Sequence, residues 1–239
     1  MRSPVVPLPL GASTAYAVRG ERTVLVDTGF AGKEKRLLGR LARAGVDPGS
    51  VSLVVLTHCH PDHAGGAARL GRELGVPVAV HEAEARWAES GTSVLYDPLN
   101  AFGRLLARTL DTGFPAFTPD LVLSDGTALD RYGVPLDVLH TPGHTPGSVT
   151  LLHRESGDAL VGDLLAGSMV RRDRPGLPFL AQDTGRLRDS VRRLLDEGPR
   201  RLHFGHGRPA RVARPDREDR PPTRTAHGVT DRTARLAAC

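Results

Sequence analysis

Six consecutive positions, His58-Cys59-His60-Pro61-Asp62-His63, hold three imidazoles, a thiol and a carboxylate one residue after the apolar run SLVVL. Imidazole nitrogen and carboxylate oxygen together suit zinc, iron or manganese. Alternate residues of an extended segment share a face, so His58 and His60 turn toward one point while Cys59 turns away. Pro61 bends the chain. Asp62 and His63 then arrive beside the first pair, at the start of the helix signalled by AGGAARL. A segment of this kind can feed two neighbouring metal ions. Further donors follow other apolar runs: His144 in HTPGHTPGS, Asp163 at the end of ALVGD, and His206 in RLHFGHG.

Those residues need elements to bring them to one edge. TAYAVRGERTVLVDTG reads as two short strands around a glycine turn, ending at Asp27. GKEKRLLGRLARAG carries an amphipathic pattern closed by Gly45. SLVVLTH is a buried strand. GGAARLGREL, VPVAVH and EAEARWAE read as helix, strand and helix. Residues 90–120 are less regular, with a helical stretch at LNAFGRLLARTLDTG, and are expected to form an inserted cap. LVLSDGTAL and VPLDVLHT resume the strand pattern around a turn at Asp125-Gly126. SVTLLHRESGDALVGD is a hairpin turning at Ser156-Gly157-Asp158. TGRLRDSVRRLLDEG is a strong amphipathic helix, capped by Thr184 and closed by Gly198. Mixed strands and helices in this order predict a layered α/β sandwich over residues 1–210. Residues 211–239 are Arg-rich and poor in large apolar residues, so they are expected to be a disordered tail.

Composition narrows the function. Of 32 basic and 27 acidic residues, ten arginines and four acids lie in 200–239, leaving 22 basic and 23 acidic residues in 1–199. The body is therefore close to neutral, which argues against a nucleic-acid partner and for a small-molecule substrate. No apolar stretch approaches a membrane span, and the N-terminal residues lack a continuous apolar signal core. The expectation is a cytoplasmic protein that does not insert in membranes. Two cysteines, Cys59 and Cys239, make no disulfide framework.

The assembled motifs resemble the metallo-β-lactamase superfamily. The H-x-H-x-D-H signature is complete in His58, His60, Asp62 and His63. VDTG precedes it, and TPGHTPGS, VGD and FGHG follow in the family's order, so the resemblance covers residues 10–209. It implies a four-layered αββα sandwich with the site at one edge. It also implies two divalent metal ions, zinc first, with iron or manganese compatible with the same donors. His58, His60 and His144 would hold one ion, and Asp62, His63 and His206 the other, with Asp163 bridging. Asp27 would orient ligands without binding metal. The implied chemistry is hydrolysis by a metal-bridging hydroxide. Asp62 would act in catalysis as well, orienting that nucleophile and accepting its proton.

Other residues receive plainer readings. Cys59 is structural. His140 packs or bonds within its loop, His81 lies at most on the rim, and His203 is structural. His153 and His227 are solvated. Tyr96, Phe102, Phe114 and Phe117 are packing aromatics that could line a pocket.

Within the superfamily, Asp163 stands where β-lactam-cleaving members usually carry cysteine or serine, and resembles glyoxalase II, lactonases and RNA-processing members. His60 argues against the flavodiiron type, which has glutamate there. Only a short polar stretch follows His206, which leaves little room for a glutathione-gripping helical domain. The expected activity is cleavage of a small ester, thioester or lactone. A phosphodiesterase or ribonuclease of the same fold, and a mononuclear iron persulfide dioxygenase, are the alternatives.

Overall fold

Each central strand alternates its side chains between two dry faces, and that alternation generates the layers. The computed structural model describes residues 3–94, 97–99, 101–108, 111–167 and 175–212. The strands are β1 (Val5–Pro9), β2 (Thr14–Arg19), β3 (Thr23–Val26), β4 (Val51–Val55), β5 (Val78–His81), β6 (Asp97–Pro98), β7 (Leu121–Leu123), β8 (Leu136–His140), β9 (Val149–His153), β10 (Asp158–Gly162), β11 (Leu180–Ala181), β12 (Arg201–Phe204) and β13 (Ala210–Arg211). The helices are α1 (Glu34–Arg43), α2 (Pro61–Ala64), α3 (Ala67–Leu74), α4 (Ala85–Ser90), α5 (Ala101–Ala107) and α6 (Thr184–Asp196).

One sheet runs β1-β2-β3-β4-β5-β7 and the other β13-β12-β10-β9-β8. Val24, Val26, Leu53 and Val55 face Leu136, Val138, Val149, Leu151 and Leu160 across the space between the sheets. The alternate residues Leu25, Val54 and Leu56 face Leu37 and Leu41 of α1 and Leu70 of α3. On the far side, Leu139, Ala159 and Val161 pack on Leu187, Val191 and Leu194 of α6. The result is the expected αββα sandwich, with apolar burial on both faces of each sheet as the organising force. Among the described residues no helix is long and apolar enough to cross a membrane.

Several local expectations change. The expected turn at Asp125-Gly126 forms, and it leads from one sheet to the other: β7 pairs with β5 in the first sheet, whereas β8 pairs with β9 in the second. The chain crosses between sheets there, a choice made by packing rather than by turn chemistry. Helix α6 is capped by Asp183, whose carboxylate accepts from Arg186 N at 2.9 Å, one residue before the expected Thr184. Residues 61–64 form their own short helix with Pro61 in its first turn, so Asp62 and His63 do not open the following helix. Arg211 pairs with Arg201 in β13 and Val212 N bonds Arg200 O at 3.1 Å, so the body runs past 210. The rest of the tail, 213–239, lies outside the described residues. Part of the cap region lies in α5, and β6 pairs with β11 in a two-stranded ribbon that sequence periodicity does not register.

Candidate metal centre

β4 ends at Val55, and the extended chain after it carries His58 and His60 to one edge of the sandwich. His60 is extended (φ −91°, ψ 151°) and its carbonyl accepts from His63 N and Ala64 N, starting α2. This turn delivers Asp62 and His63 to the same edge. The loop between β8 and β9 brings His144, the end of β10 brings Asp163, and the loop after β12 brings His206. All seven predicted donors meet.

They form three overlapping groups whose donor atoms lie within 4.8 Å of one another: His58, His60 and His144; His58, His63 and Asp163; and Asp62, His63 and His206. The three rings of the first group stand edge to face, with centroids 4.4 Å, 4.7 Å and 4.8 Å apart. Asp163 lies between the groups. Its Oδ1 is 3.5 Å from His63 Nε2, and its Oδ2 is 3.6 Å from His144 Nε2 and 3.2 Å from His206 Nε2. On the other side, Asp62 Oδ2 is 3.1 Å from His206 Nε2 and 3.6 Å from His63 Nε2.

Neighbouring groups set which ring nitrogen faces inward. His144 Nδ1 donates to Leu180 O at 2.9 Å and His206 Nδ1 to Ala12 O at 2.8 Å. His63 Nδ1 donates to Asp27 Oδ2 at 2.8 Å. Thr57 Oγ1 gives its proton to Asp27, so at 3.0 Å it accepts from His58 Nδ1. Asp27 thereby orients one histidine directly and another through Thr57, which also donates its backbone N–H. Asp27 is the sole non-glycine with positive φ (61°) among the described residues, and that turn points its carboxylate beneath the end of β4. His60 presents the other nitrogen: its Nδ1 lies 3.0 Å from His144 Nε2.

The donor set fits divalent cations. His58 Nε2, His63 Nε2 and Asp163 Oδ1 are buried with no hydrogen-bond partner, an arrangement that is costly unless something positive is coordinated there. Gly205 lines the cradle: a Cβ on it would sit 2.3 Å from Asp163 Oδ1 and 2.5 Å from His63 Cε1. Thr57 and Gly205 escape a reading of the sequence. The flanking glycine of FGHG and the threonine of LTH are visible there, but nothing local gives either a partner.

Electrostatics divides the groups. Burial, and then the neighbouring histidines, push His58 and His60 well below the usual histidine range, and burial lowers His144. Burial also works against protonation of His63, but Asp62, Asp27 and Asp163 outweigh it and raise His63 to about 9. Asp163 raises His206 well above its ordinary value. Despite burial, His63 and His206 hold Asp62 and Asp163 well below the carboxylate range. Metal-free protein at pH 7 should therefore carry protons on His63 and His206 and none on the other trio. Cations compete with those protons, so loading at pH 7 should release about two protons per chain from the histidines, and a further one for a bound water that ionises. Affinity at the Asp62, His63 and His206 position should climb as pH rises toward 9. Calorimetry in buffers of differing ionisation enthalpy reads this count, and uptake with no proton release would refute it. In the metal-free chain the raised His63 contributes stability fully present below pH 6.5 and lost as pH rises through about 9.

The remaining described histidines stay out of these groups. His81 stacks on His140 with centroids 4.0 Å apart, and His140 Nε2 donates to Pro146 O at 2.9 Å. His203 Nε2 bonds Asp158 Oδ1 at 2.9 Å within the core. His153, expected to be solvated, is buried, and its Nδ1 accepts from Ser156 N at 3.3 Å. It lies on the strand side of the hairpin turn, where the sheet covers it. Phe114 and Phe117 pack against the α1 and α3 core. Tyr96, the Phe102 side chain and His227 lie outside the described residues.

Comparison with known proteins gives the family. The family model described as the metallo-beta-lactamase superfamily matches residues 8–206. A probable metallo-hydrolase of Methanocaldococcus jannaschii is 28% identical over 202 residues, 82% of this chain and 88% of the relative. The hydroxyacylglutathione hydrolase GloC of Haemophilus influenzae is 30% identical over 160 residues, covering 65% of this chain and 67% of that protein. Among solved structures, the B3 metallo-beta-lactamase BLEG-1 superposes with a TM-score of 0.66 at 26% identity, over 87% of this chain and 93% of that one. TTHA1623, solved in a di-iron-bound form, gives a TM-score of 0.60 at 31% identity, over 86% and 94% of the two chains.

Proposed function

Given that the chain belongs to the metallo-β-lactamase superfamily, we propose that this metallo-hydrolase is dinuclear and cleaves a small ester, thioester or lactone. The observation that carries the reading is Asp163, whose carboxylate lies between the two histidine groups, with Oδ2 3.6 Å from His144 and 3.2 Å from His206 and Oδ1 3.5 Å from His63. His58, His60 and His144 would hold one ion, and Asp62, His63 and His206 the other, with Asp163 shared. Zinc is the first choice, and the di-iron form of TTHA1623 supports testing iron beside it. Bound divalent ions would supply Lewis acidity and make water acidic enough to ionise near neutral pH.

The chain's own residues do the rest. Asp62 and His206 are the most exposed members of the site, with side chains 20% and 33% accessible against 11% for Asp163, so substrate approaches from their side. The Asp62 carboxylate stays ionised beside His63 and His206 and is the group placed to take a proton from the attacking water. Asp27 and Thr57 hold the imidazoles in the orientation that leaves their donors inward. The GloC relative favours thioesters as the first class to try.

The test is a screen of purified, metal-analysed protein against acyl thioesters including S-lactoylglutathione, lactones, aryl esters, nitrocefin and bis(p-nitrophenyl) phosphate. Two ions per chain with turnover of a thioester, ester or lactone is the expected result. Turnover of the phosphodiester alone, or a single iron per chain, would overturn it.

A further inference from the structure

The buried carboxylate of Glu84 ties together the two loops that carry His58, His60 and His144, and we propose that it is a positioning residue for that trio. The inference rests on the metal-binding reading above and extends it to a residue outside the donor set. Glu84 ends the 3-10 turn between β5 and α4 and is 1% exposed. Its Oε2 accepts from the backbone N–H of Cys59, the residue between His58 and His60. Its Oε1 accepts from Gly147 N at 2.9 Å and from the hydroxyl of Thr145, the residue after His144.

One carboxylate thus bonds both loops, each within three residues of a donor histidine. Ser148 Oγ, 2.7 Å from Thr145 Oγ1, braces the second loop from behind. Gly147 leaves the space: a Cβ there would come 2.8 Å from Glu84 Cγ. His60 and His144 approach to 3.0 Å, so a small relative movement of these loops changes the trio directly. A buried, ionisable side chain with every oxygen engaged in backbone and hydroxyl donors is an expensive device for joining two loops. An apolar residue of the same size would pack the site without registering one loop on the other. Cys59, which turns away from the donors, gains a role here: its backbone N–H anchors the strap.

The discriminating variant is Glu84→Gln, which keeps shape and one acceptor but sets an amide NH2 against the donors on one side. Glu84→Ala removes both arms. Co(II) titration of the metal-free protein reads occupancy and ligand geometry without any substrate, so the result stands whether or not the hydrolase reading survives. In Glu84→Gln, one of the two Co(II) equivalents should bind at least tenfold more weakly, with altered visible absorption. The other equivalent should be unchanged, and circular dichroism should match the parent. Parent-like Co(II) affinity and spectrum, with only a lower melting temperature, would show a structural role and overturn the proposal. Should the Glu84 variants fail to fold, Thr145→Val removes a single arm isosterically. It should then weaken the same equivalent severalfold, and a parent-like titration of this variant would overturn the proposal equally.

Discussion

Asp163→Asn is expected to reduce kcat/KM by a factor on the order of 10³ or more, the scale on which removal of a central catalytic group acts. The amide keeps the volume of the carboxylate but has one oxygen in place of two and no charge. Asp163 Oδ1 faces His63, while Oδ2 faces His144 and His206. An asparagine can place its single oxygen at only one of these two positions, so its NH2 confronts either His63 or the pair His144 and His206. Metal content should fall from two ions per chain to one or fewer, while the far-ultraviolet circular dichroism stays as in the parent. Metal analysis needs no substrate, so it separates a failure of the ligand assignment from a wrong choice of substrate. An Asp163→Asn variant that retains two ions and full turnover would refute the bridging role.

Gly205→Ala should be nearly as damaging, although it removes no functional group. Gly205 is absent from the positive-φ positions, so alanine meets no backbone penalty there. The difficulty is space: the new methyl would lie 2.3 Å from Asp163 Oδ1 and 2.5 Å from His63 Cε1. Neither neighbour can retreat cheaply, because His63 is tied to Asp27 at 2.8 Å and is fully buried. Overpacking of this kind costs about 1–3 kcal/mol of stability. Displacing donors by about an ångström costs on the order of 10²-fold in rate. The expected protein folds with a lower melting temperature and keeps the ion held by His58, His60 and His144. It loses the one held by Asp62, His63 and His206. Binding of both ions with parental affinity would mean that the loop after β12 yields more easily than its contacts imply.

Much of this site is legible in the order of residues, because donor type and strand-end position are local properties. His58, His60, Asp62 and His63 sit on one short segment, and His144, Asp163 and His206 each follow an apolar run that had to be a strand. Asp27 also ends a strand, but its orienting role comes from the family resemblance alone. Glu84 has a weaker signal: it falls just before α4, four residues before the buried Ala88, where a carboxylate needs a reason. Its partners lie 25 and 61 residues away in Cys59 and Thr145, and no periodicity connects them. His153 misleads for a related reason. A histidine next to a hairpin turn looks exposed until the neighbouring strands are known to cover it.

The sequence by itself determined the chemistry on offer and the layers that carry it, since ligand type and two-residue or helical periodicity are properties of short segments. Only the tertiary structure decided which donors share Asp163, which ring nitrogen each histidine turns inward, and how the loops are tied through Glu84. It also decided that the chain changes sheets after Gly126 instead of turning back. Each of these depends on distances between residues far apart in the chain, set by how two doubly covered sheets close against each other.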